Sequence, residues 1–354
     1  MSNAHGIARL PDLPEFDTLI DVRSPAEFAE DHIPGAINCP VLDNEERARV
    51  GTIYKQVSPF EARKIGGALV AKNIARHLET RFLDKPRGWR PLIYCWRGGQ
   101  RSGSFSTWMR MVGWDACQLA GGYKTYRHSV IERINTLPAQ FRFIVVCGAT
   151  GSAKTRLLEA LATEGAQVLD LEDLACHKGS VLGAMPGRPQ PNQKFFETGL
   201  CQKLAAFDPQ VPVFVEAESR KIGRIQVPEP LIEVMRASEC VAIEATREAR
   251  LEFLLRDYAY LGDDVAQLQS RIAMLKGLQS NETIARWHEQ AAAGNLADLF
   301  AGFIDDHYDP HYQRSQNRNF PRFADAVKIP ATDLKDDSLR RMARDVLSQF
   351  GKSA

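Results

Sequence analysis

The part of this chain that most restricts its fold is residues 141–155. The first half, 141–147, is a stretch of strand length, apolar from Phe143 onward, in which Phe143, Ile144, Val145 and Val146 follow one another. A strand with no polar face suits the centre of a sheet covered on both sides. It runs straight into Gly148-Ala149-Thr150-Gly151-Ser152-Ala153-Lys154-Thr155, and the helix-forming stretch 156–162 follows. A glycine-bearing turn between a strand and a helix N-terminus converges backbone N–H groups and adds the partial positive charge of the helix. That geometry holds phosphate oxygens. Gly148, Thr150, Gly151, Ser152, Ala153, Lys154 and Thr155 are the expected diphosphate-binding residues, with Lys154 on the phosphate oxygens and Thr155 a candidate Mg²⁺ ligand.

The pattern is that of a Walker A loop, with Ala153 where the motif has glycine. Alanine is the smallest replacement, and the loop is expected to survive it. Further strands are expected at 167–171, 211–216, 239–245 and 326–329, and helices at 248–256 and 264–293. Glu216 closes an apolar run, where a Walker B carboxylate falls, and is a second Mg²⁺ candidate. Glu216, Ser219 and Arg220 sit just past a strand end, where parallel sheets bind ligands. Arg247, Arg250 and Arg256 fall on a helix that Thr246 can cap. They are candidate contacts to phosphate or an RNA backbone, or surface partners of Glu248 and Glu252.

The chain has 354 residues, 44% hydrophobic and 25% charged. This is globular composition and, at roughly 150 residues per domain, a length for two. The boundary is expected near Pro138, giving a first domain over 1–137 and a second, with a helical C-terminal part, over 138–354. Lys and Arg number 45 against 44 Asp and Glu, so any nucleic-acid contact must come from a local patch. No apolar stretch approaches a membrane span, and the N-terminal residues lack a signal-peptide pattern. Seven scattered cysteines show no CxxC or Cys/His ligand spacing. A reducing cytoplasm without structural zinc is expected.

In the first block, strands are expected at 18–22, 91–95 and 116–119, and helices at 59–81 and 102–112. Cys95-Trp96-Arg97-Gly98-Gly99-Gln100-Arg101-Ser102 lies between a strand and a helix. A loop curled around the sulfur, a helix N-terminus and the cations Arg97 and Arg101 all favour the thiolate. This makes Cys95, Arg97 and Arg101 the candidate catalytic group. The loop resembles a rhodanese active site. Asp21-Val22-Arg23 with Glu27-Phe28, His32-Ile33-Pro34-Gly35-Ala36-Ile37-Asn38 and Leu119-Ala120-Gly121-Gly122 resemble other rhodanese stretches. Rhodanese-like domains carry sulfur or selenium on the loop cysteine. The spacing C-x5-R also fits rhodanese-fold phosphatases, so the loop alone allows chalcogen transfer or phosphate handling. The expected fold is α/β: an N-terminal rhodanese-like parallel-sheet domain, then a P-loop NTPase-like α/β domain with helical additions.

A cysteine loop followed in one chain by a P-loop domain resembles the tRNA 2-selenouridine synthase family. The stretches 51–62, 193–197 and 216–223 resemble that family too. The resemblance implies a bacterial enzyme acting on the tRNA anticodon loop, at a wobble uridine already carrying sulfur at C2. A geranyl group from geranyl diphosphate is placed on that sulfur. Selenophosphate then supplies selenium, which makes a selenophosphate-supplying enzyme an expected partner. Lys154 and the loop amides would stabilise the leaving diphosphate. Trp96, Tyr123, Tyr126, Arg127 and Tyr258 are candidates for stacking or gripping a splayed base. His177, His307 and His311 are candidate acids or bases. Two alternatives stay open at this level: a tRNA-independent sulfurtransferase fused to a small-molecule kinase, and a phosphatase using C-x5-R.

Overall fold

The computed structural model describes residues 6–180, 183–185, 187–310, 312 and 319–350; His311 lies outside them. The chain divides into two compact units that part between Arg133 and Ile134. That division falls inside the helix Gly122–Thr136, a few residues before Pro138, which instead opens a short 3-10 turn.

The first unit is built on a five-stranded sheet. Its strands are β1 (Ile7–Ala8), β2 (Thr18–Asp21), β3 (Ile37–Asn38), β4 (Pro91–Tyr94) and β5 (Cys117–Leu119), in the order β1-β5-β4-β2-β3. All neighbours are parallel. β4 is buried along its whole length, as its unbroken apolar sequence requires. Helices start where side chains can accept from their free N–H groups. Ser24, Asp43 and Ser58 cap Pro25–Glu30, Asn44–Gln56 and Pro59–His77. Tertiary packing adds the two-residue strands β1 and β3, which are too short to leave a periodic signal in sequence.

The second unit carries β6 (Phe143–Gly148), β7 (Gln167–Leu169), β8 (Val213–Glu216), the hairpin β9 (Lys221–Ile222) and β10 (Ile225–Gln226), β11 (Glu239–Ala245) and β12 (Val327–Ala331). The order of the main sheet is β12-β11-β6-β8-β7, parallel throughout. Alternate residues of β6 feed opposite cores. Phe143, Val145 and Cys147 pack with Phe196, Leu200 and Leu231, while Ile144 and Val146 pack with Leu157, Leu161 and Val346. The apolar run is thus buried on both faces, and the loop that follows it starts from a rigid base. A separate helical cluster centres on Trp287, Leu268, Ile272 and Phe303. The stretch expected as one helix over 264–293 is two, Val265–Ala273 and Asn281–Ala292. Gly277 takes φ +89° between them, and Ser280 caps the second. Among the described residues no helix is long and apolar enough to cross a membrane.

Candidate functional site

In the first unit, β4 ends at Tyr94 and the chain turns at Cys95, whose side chain is buried. Its sulfur accepts from the backbone N–H of Gly99 at 3.3 Å and from the Ser102 hydroxyl at 3.1 Å. Gln118 donates to Ser102 Oγ at 2.8 Å and to Gly99 O at 3.0 Å, so a strand neighbour orients the hydroxyl. Gly98 adopts φ +64°, and a Cβ there would stand 2.7 Å from Leu119 O. The Cys95 carbonyl accepts from Tyr123 N at 2.9 Å. The loop is therefore locked onto the Gly121-Gly122 turn, with donors pointing at one sulfur beside the N-terminus of helix Gln100–Val112. This arrangement orients the sulfur as a nucleophile.

The two arginines of the loop separate. Arg97 is exposed. Arg101 instead forms a two-pronged pair with Glu27, at 2.8 Å and 3.3 Å. Burial alone would raise the Glu27 carboxyl, but Arg101, with Arg47 behind it, holds it below its ordinary range. Arg101 was expected on the sulfur and its anion; the structure places it on a carboxylate that already matches its charge. Tyr123 is likewise corrected as a stacking candidate. It is buried, its hydroxyl donates to Asp31 at 2.6 Å, and Arg23 lies 3.9 Å over its ring.

In the second unit, residues 148–155 leave β6 as a tight loop. Ala153 adopts φ +58° and ψ +35°, the left-handed conformation, and is buried. This conformation costs an L-residue about 1–2 kcal/mol, and it explains why the Walker pattern has glycine here. The Lys154 ammonium donates to Gly148 O at 3.0 Å, across the loop mouth. Thr155 Oγ1 lies 3.0 Å from Glu172 Oε2 and 3.3 Å from Glu216 Oε2, and Glu172 N donates to Glu216 Oε1 at 3.0 Å. Oxygens of Glu172, Glu216 and Glu218 lie within 4.8 Å of one another. Burial and mutual repulsion push Glu172 up to about 6 and Glu218 up to about 8, and Glu216 well above its ordinary value. Three crowded carboxylates beside a hydroxyl form an all-oxygen set with surplus negative charge, which fits a divalent cation such as Mg²⁺. The sequence reading supplied Thr155 and Glu216 but missed Glu172 and Glu218. Both lie just past strand ends, Glu172 after β7 and Glu218 after β8, whose last residue is Glu216, and that was the available signal.

The loop opens into a cleft of about 690 Å³. Its lining combines Lys154, Thr155, Glu172 and Glu218 with Phe253, Leu254, Tyr258, Tyr308 and Phe320. Lys178 also lines it, 2.5 Å from Asp257 Oδ2 and 4.1 Å from the centre of the Tyr258 ring. Charged and aromatic side chains thus share one cleft: Lys178 sits over the Tyr258 ring, and Leu254 lies against Gly151 of the phosphate loop.

Residues 141–283 match the family model described as the tRNA 2-selenouridine synthase AAA domain, and residues 7–129 match the rhodanese-like domain. A tRNA 2-selenouridine synthase of Nitrosomonas europaea is 37% identical over 294 residues, covering 81% of this chain and 74% of that one. Another, from Alcanivorax borkumensis, is 33% identical over 333 residues, with coverage of 85% and 90%. A third, from Sulfurovum, is 32% identical over 338 residues, covering 86% and 90%. The chain belongs to the tRNA 2-selenouridine synthase family. It is a tRNA-modifying enzyme with a rhodanese-like unit and a P-loop-like unit.

The remaining site candidates of this tRNA 2-selenouridine synthase family member are placed as follows. Arg250 is buried: it donates to Thr150 O at 2.9 Å and pairs with Asp309 at 2.6 Å and 2.9 Å. It braces the phosphate loop from behind and is out of reach of an RNA backbone. Arg247 is exposed and pairs with Asp305, and Arg256 donates to Leu334 O at 2.8 Å. Arg220 pairs with Glu229, and Ser219 donates to Lys221 O, so both stabilise the turn before the β9–β10 hairpin. Glu216 is fully buried at the centre of the acidic cluster. His177 is buried, which together with nearby Arg271 holds its imidazole below its ordinary value.

Proposed function

We propose that this protein replaces the sulfur of a wobble 2-thiouridine in tRNA with selenium in two steps, and that the steps are divided between its units. In the first step the thiocarbonyl sulfur attacks C1 of geranyl diphosphate. A C–S bond forms, the C–O bond to diphosphate breaks, and the base loses its N3 proton. In the second, the selenium of selenophosphate adds at C2, a C–Se bond forms and the C2–S bond breaks to release the geranyl thiol; water then takes the phosphoryl group, which breaks the P–Se bond and leaves phosphate and the 2-selenouridine with its N3 proton restored. Alkylation is what makes the exchange feasible, because a thiocarbonyl sulfur is a poor leaving group and a thiol is a better one.

The observation that carries this reading is the cleft of the second unit, which brings charged and aromatic side chains together. The loop amides and Lys154 suit a diphosphate, and Phe253, Leu254, Tyr258, Tyr308 and Phe320 suit a ten-carbon chain lying beside it. A bound Mg²⁺ would be held by Thr155, Glu172, Glu216 and Glu218, and would supply charge neutralisation for the leaving diphosphate. Lys154 neutralises the same oxygens, and the aromatic side chains of the lining shield from water an allylic carbon that would otherwise hydrolyse. Tyr258 and Tyr308 line this cleft, which favours prenyl contact over RNA stacking for Tyr258.

The selenium step is assigned to Cys95. Its sulfur is gripped by Gly99 and Ser102, and exposed Arg97 is the cation free to meet selenophosphate, which a partner enzyme would supply. The test is mass spectrometry of the wobble nucleoside after incubation of the enzyme with 2-thiouridine tRNA. Geranyl diphosphate alone should give a geranyl adduct, and selenophosphate should convert it to a selenium-containing nucleoside. No mass change, accompanied by steady ATP turnover, would instead support the sulfurtransferase–kinase reading.

A further inference from the structure

We propose that the turn joining helices Asn44–Gln56 and Pro59–His77 is the surface on which the anticodon arm of the tRNA docks. This rests on the tRNA reading above and adds to it a place on the protein.

The turn presents three large apolar side chains to solvent: Tyr54, Val57 and Phe60 are 58%, 70% and 61% exposed. The backbone around them is held firmly. Val57 N and Ser58 N both donate to Ile53 O, at 2.9 Å and 3.0 Å, and Ser58 Oγ accepts from Phe60 N at 3.1 Å. Below the turn the helices are in tight contact, since a Cβ at Gly66 would lie 3.2 Å from Val50. Two aromatic faces on a braced turn make an exposed apolar patch with a definite shape, which calls for a partner.

Charge identifies the partner. Residues 44–77 contain seven Lys or Arg and three Asp or Glu, whereas the whole chain is nearly balanced at 45 against 44. Lys55, Arg63 and Lys64 are exposed beside the aromatic residues; the Lys64 ammonium sits 5.3 Å from the centre of the Phe60 ring and pairs with Glu61 at 2.7 Å, a solvent-exposed pair of little energetic weight that a phosphate can replace. Aromatic faces interleaved with cations suit unpaired RNA: the rings stack on bases and the cations meet phosphates.

Position adds a third argument. Glu27 contacts Arg101 of the cysteine loop on one side and Arg47 of helix Asn44–Gln56 on the other, the latter at 3.8 Å. From Arg47 to Tyr54 the helix rises about 10 Å. The helix that carries the patch is thus tied through Glu27 to the cysteine loop, and the patch lies about two turns further along it.

The test uses the full chain and a 2-thiouridine tRNA, with binding measured by fluorescence anisotropy from 50 to 300 mM salt. The Lys55→Glu/Lys64→Glu variant is expected to bind at least tenfold more weakly, with a shallower salt slope, because phosphate contacts are lost. The Tyr54→Ala/Phe60→Ala variant is expected to lose about tenfold with its salt slope unchanged, since stacking is a neutral contact. Calorimetric binding of geranyl diphosphate and unaltered circular dichroism check that both variants are folded. If the wild-type protein binds tRNA and both variants bind equally well, the docking surface is wrong and the tRNA reading stands. The same holds if the variants lose only capture of a selenophosphate-supplying enzyme. If the wild-type protein itself binds no tRNA, the substrate reading fails and the surface falls with it.

Discussion

The hydroxyl of Thr155 lies 3.0 Å from Glu172 Oε2, joining the last residue of the phosphate loop to a carboxylate 17 positions further along the chain. Glu172 belongs to a cluster whose carboxyls hold protons well above the ordinary range near 4.3. A raised value means that the folded state binds the proton more tightly than the unfolded chain does. Stability is then fully present at low pH and is lost as pH rises through the folded values, about 6 for Glu172 and about 8 for Glu218. Without divalent cation, the melting temperature is expected to fall between pH 5 and pH 8.5. Millimolar Mg²⁺ should reverse the fall, with a gain that grows with pH. Glu172→Gln should flatten the metal-free profile by about 2 kcal/mol across that window. A metal-free melting temperature that is level over this range would contradict the cluster's proton affinity.

Cys95→Ala is expected to abolish selenium incorporation while S-geranylation from geranyl diphosphate continues, as read from the wobble nucleoside by mass spectrometry. Ser102→Ala should slow the selenium step less, about tenfold, because Gly99 N–H remains on the sulfur. Equal loss of both steps in Cys95→Ala would remove the division of labour between the units.

Lys154→Ala is expected to stop geranylation first, since its ammonium is the charge at the loop mouth. At Ala153 the backbone makes the discriminating prediction. With φ +58°, Ala153→Gly relieves strain and should keep activity and change stability by no more than about 1 kcal/mol. Ala153→Val, β-branched and buried in the same conformation, should cost more than about 2 kcal/mol and lose geranyl diphosphate binding by calorimetry. Normal geranylation by Lys154→Ala would sink the assignment of this loop.

Arg250→Ala removes the bond to Thr150 O and leaves Asp309 without its two-pronged partner. Chemical denaturation should show a loss of about 2–3 kcal/mol. Arg250→Lys should recover only part of it, because an ammonium cannot serve the carbonyl and both carboxylate oxygens in one plane. The affinity for tRNA measured on folded protein should stay unchanged, which an RNA-contacting arginine would not allow.

Much was determined by sequence alone. Residues 143–146 are apolar on both faces, and such a run followed by a glycine-bearing loop and a helix can only be a central parallel strand. Short-range rules set the caps at Ser24, Ser58 and Thr246, and the cysteine loop at 95–102, because the interacting groups lie within a few residues of each other. What tertiary structure alone decided is which charges meet. Arg101 lies 74 positions from Glu27, Arg250 lies 100 from Thr150, and Glu172 lies 44 from Glu216. Local pattern carries no information about such pairs. A charged side chain reads the same in sequence whether it faces a phosphate, a carboxylate or water. Only the order in which parallel strands bring their ends together selects its partner, and with it the difference between a ligand contact and a brace.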